Sequence, residues 1–88
     1  MVHVHPRVTE RHPELSEADV ASAWRCQYRY AVREGDSGLR RVAVGLDPRG
    51  REVEMVAVEL DDGAWLVYHA MTPPSAKTYR ELRMGGRR

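Results

Sequence analysis

The chain reads as an α+β domain, and three observations lead there. From Arg41 to Met71 the residues form apolar stretches separated by two turn signals, Asp47-Pro48-Arg49-Gly50 and Asp62-Gly63. That is the pattern of an antiparallel meander. Upstream, Ser16 with Asp19 three residues on fits a capping box that opens a segment of helical spacing. Downstream, Ser75 follows Pro73-Pro74 and caps a second such segment. Helix, meander and helix in that order make an α+β arrangement.

The elements follow in chain order. Residues 1–6 predict a short strand, with Val2 and Val4 on one side and His3 and His5 on the other, stopped by Pro6. Residues 7–12 predict a helical turn ended by Pro13. Leu15 and Val20 sit at the two ends of a hydrophobic staple, and a helix from about Glu17 to Arg25 turns Val20, Ala23 and Trp24 inward. Gln27 to Arg33 alternates loosely and is rich in Tyr, which fits a strand or an irregular extension of the helix. Gly35-Asp36-Ser37-Gly38 reads as a loop.

Leu39 to Asp47 reads as a strand with Val42, Val44 and Leu46 on one face. Glu52 to Leu60 has apolar residues on both faces, which predicts a central strand covered on both sides, or a bulge that switches faces. Ala64 to Met71 is again apolar on both faces. The final helix runs to about Met84 with Gly85-Gly86 as its stop; Tyr79 and Leu82 pack inward, and Lys77 and Arg80 lie toward solvent.

With 88 residues the chain holds one domain, residues 1–84, followed by a basic tail at 85–88. There is no Phe, so Trp24, Trp65 and the four Tyr supply the aromatic bulk. No apolar run approaches the roughly 20 residues that span a bilayer, and the opening MVHVHPRVTE is too polar for a signal peptide. Cys26 is alone, which fits a reducing, cytoplasmic compartment. A net charge of +1 does not by itself mark a nucleic-acid binder. Its distribution is uneven: Lys77, Arg80, Arg83, Arg87 and Arg88 face a single acid, Glu81, in the last stretch. Such a patch suits phosphates or an acidic protein segment.

Arg11-His12 ahead of SEADVASAW, then VGLDPRGREVE, an aspartate-glycine turn and VYHAM, resemble the small actinobacterial proteins related to BrnT-like toxins, within the wider RelE/ParE toxin-like superfamily. The similarity runs from about Arg7 to Leu82. It implies helices packed on a three- to four-stranded antiparallel sheet with a closing C-terminal helix. It also implies a ribonuclease toxin that cleaves messenger RNA and is neutralised by an antitoxin. In two respects the chain departs from that pattern. Where such toxins carry an arginine just after the last strand, this chain has Met71, with His69 nearby, and its helices are less rich in Lys and Arg.

RNA cleavage by this route needs a base for the 2′-OH, a cation for the phosphate and an acid for the leaving oxygen, with no metal or other cofactor. Imidazole serves as acid or base near neutrality, and the guanidinium fork binds two phosphate oxygens. His69, a polar residue in an apolar strand, is the first catalytic candidate, against a plain role as a half-buried, hydrogen-bonded histidine. His12, beside Arg11, joins it only if the first helix packs over the sheet. Arg51, after the Gly50 turn, is a candidate phosphate clamp or an exposed strand-end charge. Tyr79 is a candidate proton donor or stacking ring, or else core. Arg11, Arg40, Lys77 and Arg80 are the candidate RNA contacts; Arg40 and Arg41 point to opposite faces, so at most one of them shares a site with Arg51. His3 and His5 lack a third nearby ligand for a tetrahedral metal site, and Cys26 carries no nucleophile motif.

Three functional readings result. The first is a cytoplasmic toxin of a type II toxin–antitoxin pair: a metal-independent endoribonuclease acting on messenger RNA, free or on the ribosome. The second is a catalytically inactive BrnT-like binding module that associates with a partner protein. The third is a homodimer formed through an open sheet edge. None involves a membrane.

Overall fold

The computed structural model describes residues 1–35 and 38–84. In chain order it contains β1 (Val2–Val4), α1 (Pro6–Arg11), α2 (Glu17–Arg25), β2 (Gln27–Gly35), β3 (Gly38–Leu46), β4 (Glu52–Glu59), β5 (Trp65–Met71) and α3 (Ala76–Glu81). The strands form one five-stranded sheet in the order β1-β5-β4-β3-β2. The molecule is α+β, with a mixed sheet and three short helices.

The three- to four-stranded antiparallel sheet implied by the family resemblance is corrected on two counts. The sheet has five strands, and β1 runs parallel to β5, with Val2, His3 and Val4 opposite Trp65, Leu66 and Val67. A three-residue strand with alternating side chains has no feature that reveals its direction. α1 and α2 then carry the chain from β1 at one edge of the sheet to β2 at the other. Pro6 does end β1, but it also begins α1: it occupies the first turn, where its missing N–H costs nothing, and His5 Nδ1 accepts the Arg7 N–H at 3.0 Å.

The tyrosine-rich segment is a true strand. β2 pairs with β3 over its whole length, with a bulge between Gln27 and Arg29. Of the expected Gly35–Gly38 loop, Asp36 and Ser37 lie outside the described residues, and the flanking glycines belong to β2 and β3. Both turns form as expected: Gly50 N–H donates to the Asp47 carbonyl at 2.9 Å, and Gly63 N–H donates to the Leu60 carbonyl at 2.9 Å. Gly50 and Gly63 have φ of +80° and +85°, which a side chain would disfavour. α3 stops at Glu81 rather than near Met84, because Arg83 adopts φ +56° and Met84 N–H reaches back to the Tyr79 carbonyl, a Schellman-type end. The expected Gly85-Gly86 stop and the basic tail lie outside the described residues.

β4 has neighbours on both sides and a core on both faces. On one face Val53, Met55 and Ala57 pack with Val67 and Ala70 of β5 and with Val8, Leu15, Val20, Ala23 and Trp24 from the α1–α2 layer. On the other, Val42 and Val44 pack with Leu82 after α3, and Val56 closes against them. The double apolar pattern of β4 is therefore the signature of a strand covered on both sides. A bulge is also present, but on β5: Val56 faces His69 and Ala57 faces Val67, leaving Tyr68 as the extra residue.

α2 reaches the sheet through Gly45. A Cβ built at Gly45 would lie 2.0 Å from the Ala23 carbonyl oxygen and 2.9 Å from its carbon. The obstacle is helix backbone, which cannot rotate aside. Gly45→Ala is therefore expected to lower the free energy of unfolding by about 1–3 kcal/mol, read as a lower urea midpoint at unchanged m value. A midpoint equal to wild type would refute this close packing of α2 on β3.

Candidate functional site

β1 covers only the first half of β5. Beyond it α1 lies against β5 instead, and a pocket of about 460 Å³ opens there. Its walls include Arg7, Arg11 and His12 from the α1 segment, Tyr68 and His69 from β5, and Arg33 from β2. The first helix does pack over the sheet, so His12 and His69 meet: their ring centroids are 6.5 Å apart and the planes nearly perpendicular, at 89°.

Each imidazole has a carboxylate partner. His12 caps the end of α1, its N–H donating to the Val8 carbonyl at 3.0 Å, and its Nδ1 lies 3.4 Å from Glu14 Oε2. His69 Nε2 lies 2.8 Å from Glu54 Oε2. Glu54 is buried, at 6% exposure. Burial pushes its carboxyl up, but hydrogen bonds from His69, from the Ser75 backbone N–H and from the Thr78 and Ser75 side chains outweigh that and hold it down at about 2. A carboxylate ionised at neutral pH can only accept, so His69 donates from Nε2 and presents Nδ1 as its second nitrogen. Ser75 donates to Glu54 Oε1 from both its N–H and its hydroxyl, each at 2.9 Å, which fastens the start of α3 to the same carboxylate.

The cations around the pocket differ in freedom. Arg33 grips Glu81 of α3 through its fork, with Nε 2.9 Å from Oε2 and a second, shorter contact to Oε1. Arg7 and Arg11 are exposed at the rim. Arg40 lies over the Tyr68 ring, 5.9 Å from its centroid, one side chain removed from the pocket wall.

Of the residues singled out from the sequence, His69, His12 and Arg11 share this pocket, and Arg40 reaches its edge through Tyr68. The others lie elsewhere. Arg51 holds the Asp47 turn to the start of α2, with Nε 2.7 Å from Asp47 Oδ2 and its terminal nitrogen 3.1 Å from the Glu14 carbonyl and 3.4 Å from Asp19 Oδ2. Tyr79 is half-buried and donates to Glu52, which Tyr28 also contacts. Lys77 and Arg80 are exposed on α3, outside the pocket lining.

Sequence reasoning missed Glu54, Arg7, Arg33 and Tyr68. Glu54 left a signal, an acid in the middle of a strand that is apolar on both faces. Its pairing with His69 did not, because the Tyr68 bulge sets which β5 residue faces which of β4.

No family model matches the chain, and no curated protein or solved structure matches it either.

Glu54 ties stability to pH. Its carboxyl lies lower in the folded protein, at about 2, than the ordinary 4.5. The stabilisation is therefore complete above the ordinary value and is lost as pH falls from about 4.5 toward 2. It is on the order of 3 kcal/mol. Glu54→Gln is expected to flatten that part of a stability-versus-pH curve measured by urea unfolding. A variant curve parallel to wild type would show that Glu54 is not the titrating group.

Proposed function

We propose that the pocket between α1 and β5 is the active centre of a metal-independent endoribonuclease acting on messenger RNA, the toxin half of a pair whose antitoxin holds it inactive. The observation that carries the reading is the pair of imidazoles, 6.5 Å apart between centroids and each beside a carboxylate, at a pocket rimmed by Arg7 and Arg11. Two imidazoles supply both proton transfers that RNA cleavage requires. His69 acts as base from Nδ1: it takes the 2′-OH proton, and Glu54 stabilises the imidazolium that forms. The 2′-oxygen attacks phosphorus, the bond to the 5′-oxygen breaks, and His12 protonates that leaving oxygen. The products are a 2′,3′-cyclic phosphate and a 5′-hydroxyl. Arg7 and Arg11 offset the charge on the phosphate oxygens.

A second reading, an inactive module that binds a partner protein, is favoured by two observations. Arg33 is engaged by Glu81, and Met71 stands where the resembling toxins carry an arginine.

The test is purified protein incubated with messenger RNA, with and without ribosomes, with product ends identified by mass spectrometry. Cleavage to cyclic-phosphate ends is expected, slowed about 10²–10⁴-fold in His69→Ala and in His12→Ala, each assayed well below its own melting temperature because His69→Ala also removes a hydrogen bond from buried Glu54. Intact RNA under both conditions, with no growth arrest on induction, rejects the nuclease. A protein partner that co-purifies with such an inactive chain supports the second reading.

A further inference from the structure

A second cavity lies away from His12 and His69. It encloses about 510 Å³ between the start of β1 and the end of α2, and is lined by Met1, Val2, Trp24, Arg25, Gln27 and Trp65. The two indoles border it, 5.6 Å apart between centroids and inclined at 46°; Trp24 is largely buried in the core, and the Arg41 guanidinium lies 5.1 Å from the Trp65 centroid. Both tryptophans of the chain thus border one cavity.

The polar groups in it are few and set in place. Gln27 Nε2 donates to the Trp24 carbonyl at 2.8 Å, and its Oε1 accepts from Arg41 at 2.9 Å. A side-chain amide has two N–H donors and two acceptor lone pairs, so a donor and an acceptor position remain on a group whose orientation is already fixed. Arg25, exposed at the end of α2, adds a positive charge at the margin.

Aromatic walls, an oriented amide and a peripheral cation match the three parts of a nucleotide: a planar base, a hydrogen-bonding edge and a phosphate. An aliphatic ligand would use the indoles but leave the amide and guanidinium unmatched. We propose that this cavity binds a nucleobase, with Trp24 and Trp65 against the ring, Gln27 at its edge and Arg25 at the attached phosphate.

That the base comes from RNA rests on the nuclease reading above. Trp65 opens β5 with its ring against the α1–α2 core, and His69 lies beyond the Tyr68 bulge, opposite Val56, so a single-stranded segment that reaches both sites passes around the half of the β5 edge that β1 leaves uncovered. One strand then presents a base-holding site near its beginning and the proposed cleavage site near its end.

Because both tryptophans line the cavity, intrinsic fluorescence reads its occupancy directly. The probes are adenosine 5′-monophosphate, cytidine 5′-monophosphate and, as the base-free control, ribose 5-phosphate. The two nucleotides are expected to change the emission saturably and ribose 5-phosphate to leave it unchanged. Trp65→Leu, Gln27→Ala and Arg25→Ala should each weaken nucleotide binding about tenfold. If Trp65→Leu does not fold, the exposed Arg25→Ala variant decides. Equal responses to ribose 5-phosphate and the nucleotides, no saturable response up to millimolar concentration, or wild-type binding by the variants overturns the proposal. Nucleotide binding in a protein that cleaves no RNA leaves this site standing and removes the nuclease; cleavage without a nucleotide response does the reverse.

Discussion

A carboxylate buried in the middle of a sheet constrains everything near it. Glu54 would be costly to hide without partners, by several kcal/mol, and its partners come from β5 and from the first turn of α3. β5 supplies His69, and the start of α3 supplies the backbone and hydroxyl of Ser75 and the side chain of Thr78. Satisfying one charge therefore fixes the register of β5, the docking of α3 and the orientation of an imidazole at once. The histidine that faces the pocket is aimed by the same bonds that close the core on that side.

The sheet separates labour between its faces. The α1–α2 layer covers one face with a continuous apolar core and approaches closely enough that only glycine fits at position 45. The α3 face is smaller and more polar: Glu54, the Arg33–Glu81 pair and the Tyr79–Glu52–Tyr28 group interrupt its apolar contacts. The Tyr68 bulge lets β5 serve both arrangements. Without the extra residue, the alternation that turns Val67 into the core would carry on unbroken and send His69 to the same side.

Much of this was legible in the residues. The Ser16 capping box, the Asp47–Gly50 turn, the Asp62-Gly63 turn and the double-faced pattern of β4 are local, and local chemistry specifies them. His12 and His69 stand out by residue type and position, but their meeting depends on where α1 packs, which no local pattern encodes. Arg51 illustrates the converse. An arginine after a turn is a reasonable phosphate clamp, yet its carboxylate partners, Asp47 four residues back and Asp19 on a distant helix, are brought to it by folding. The parallel direction of β1 and the bulge at Tyr68 were illegible for the same reason: both are properties of how strands meet.

β2 forms one edge of the sheet, and among the described residues no further strand pairs with it. Nine residues long, with Tyr30 and Val32 half or more exposed, it is the kind of surface on which chains stack into ordered aggregates. Its safeguards are written into the same strand: the bulge beside Tyr28 breaks the straight ladder, and Arg29 and Arg33 set positive charge along it. Arg33 is also tied to α3 through Glu81. The edge strand that guards this small protein against stacking therefore also lends a residue to each pocket, Gln27 to one and Arg33 to the other, so loss of Arg33 would register both as precipitation and at the histidine pocket.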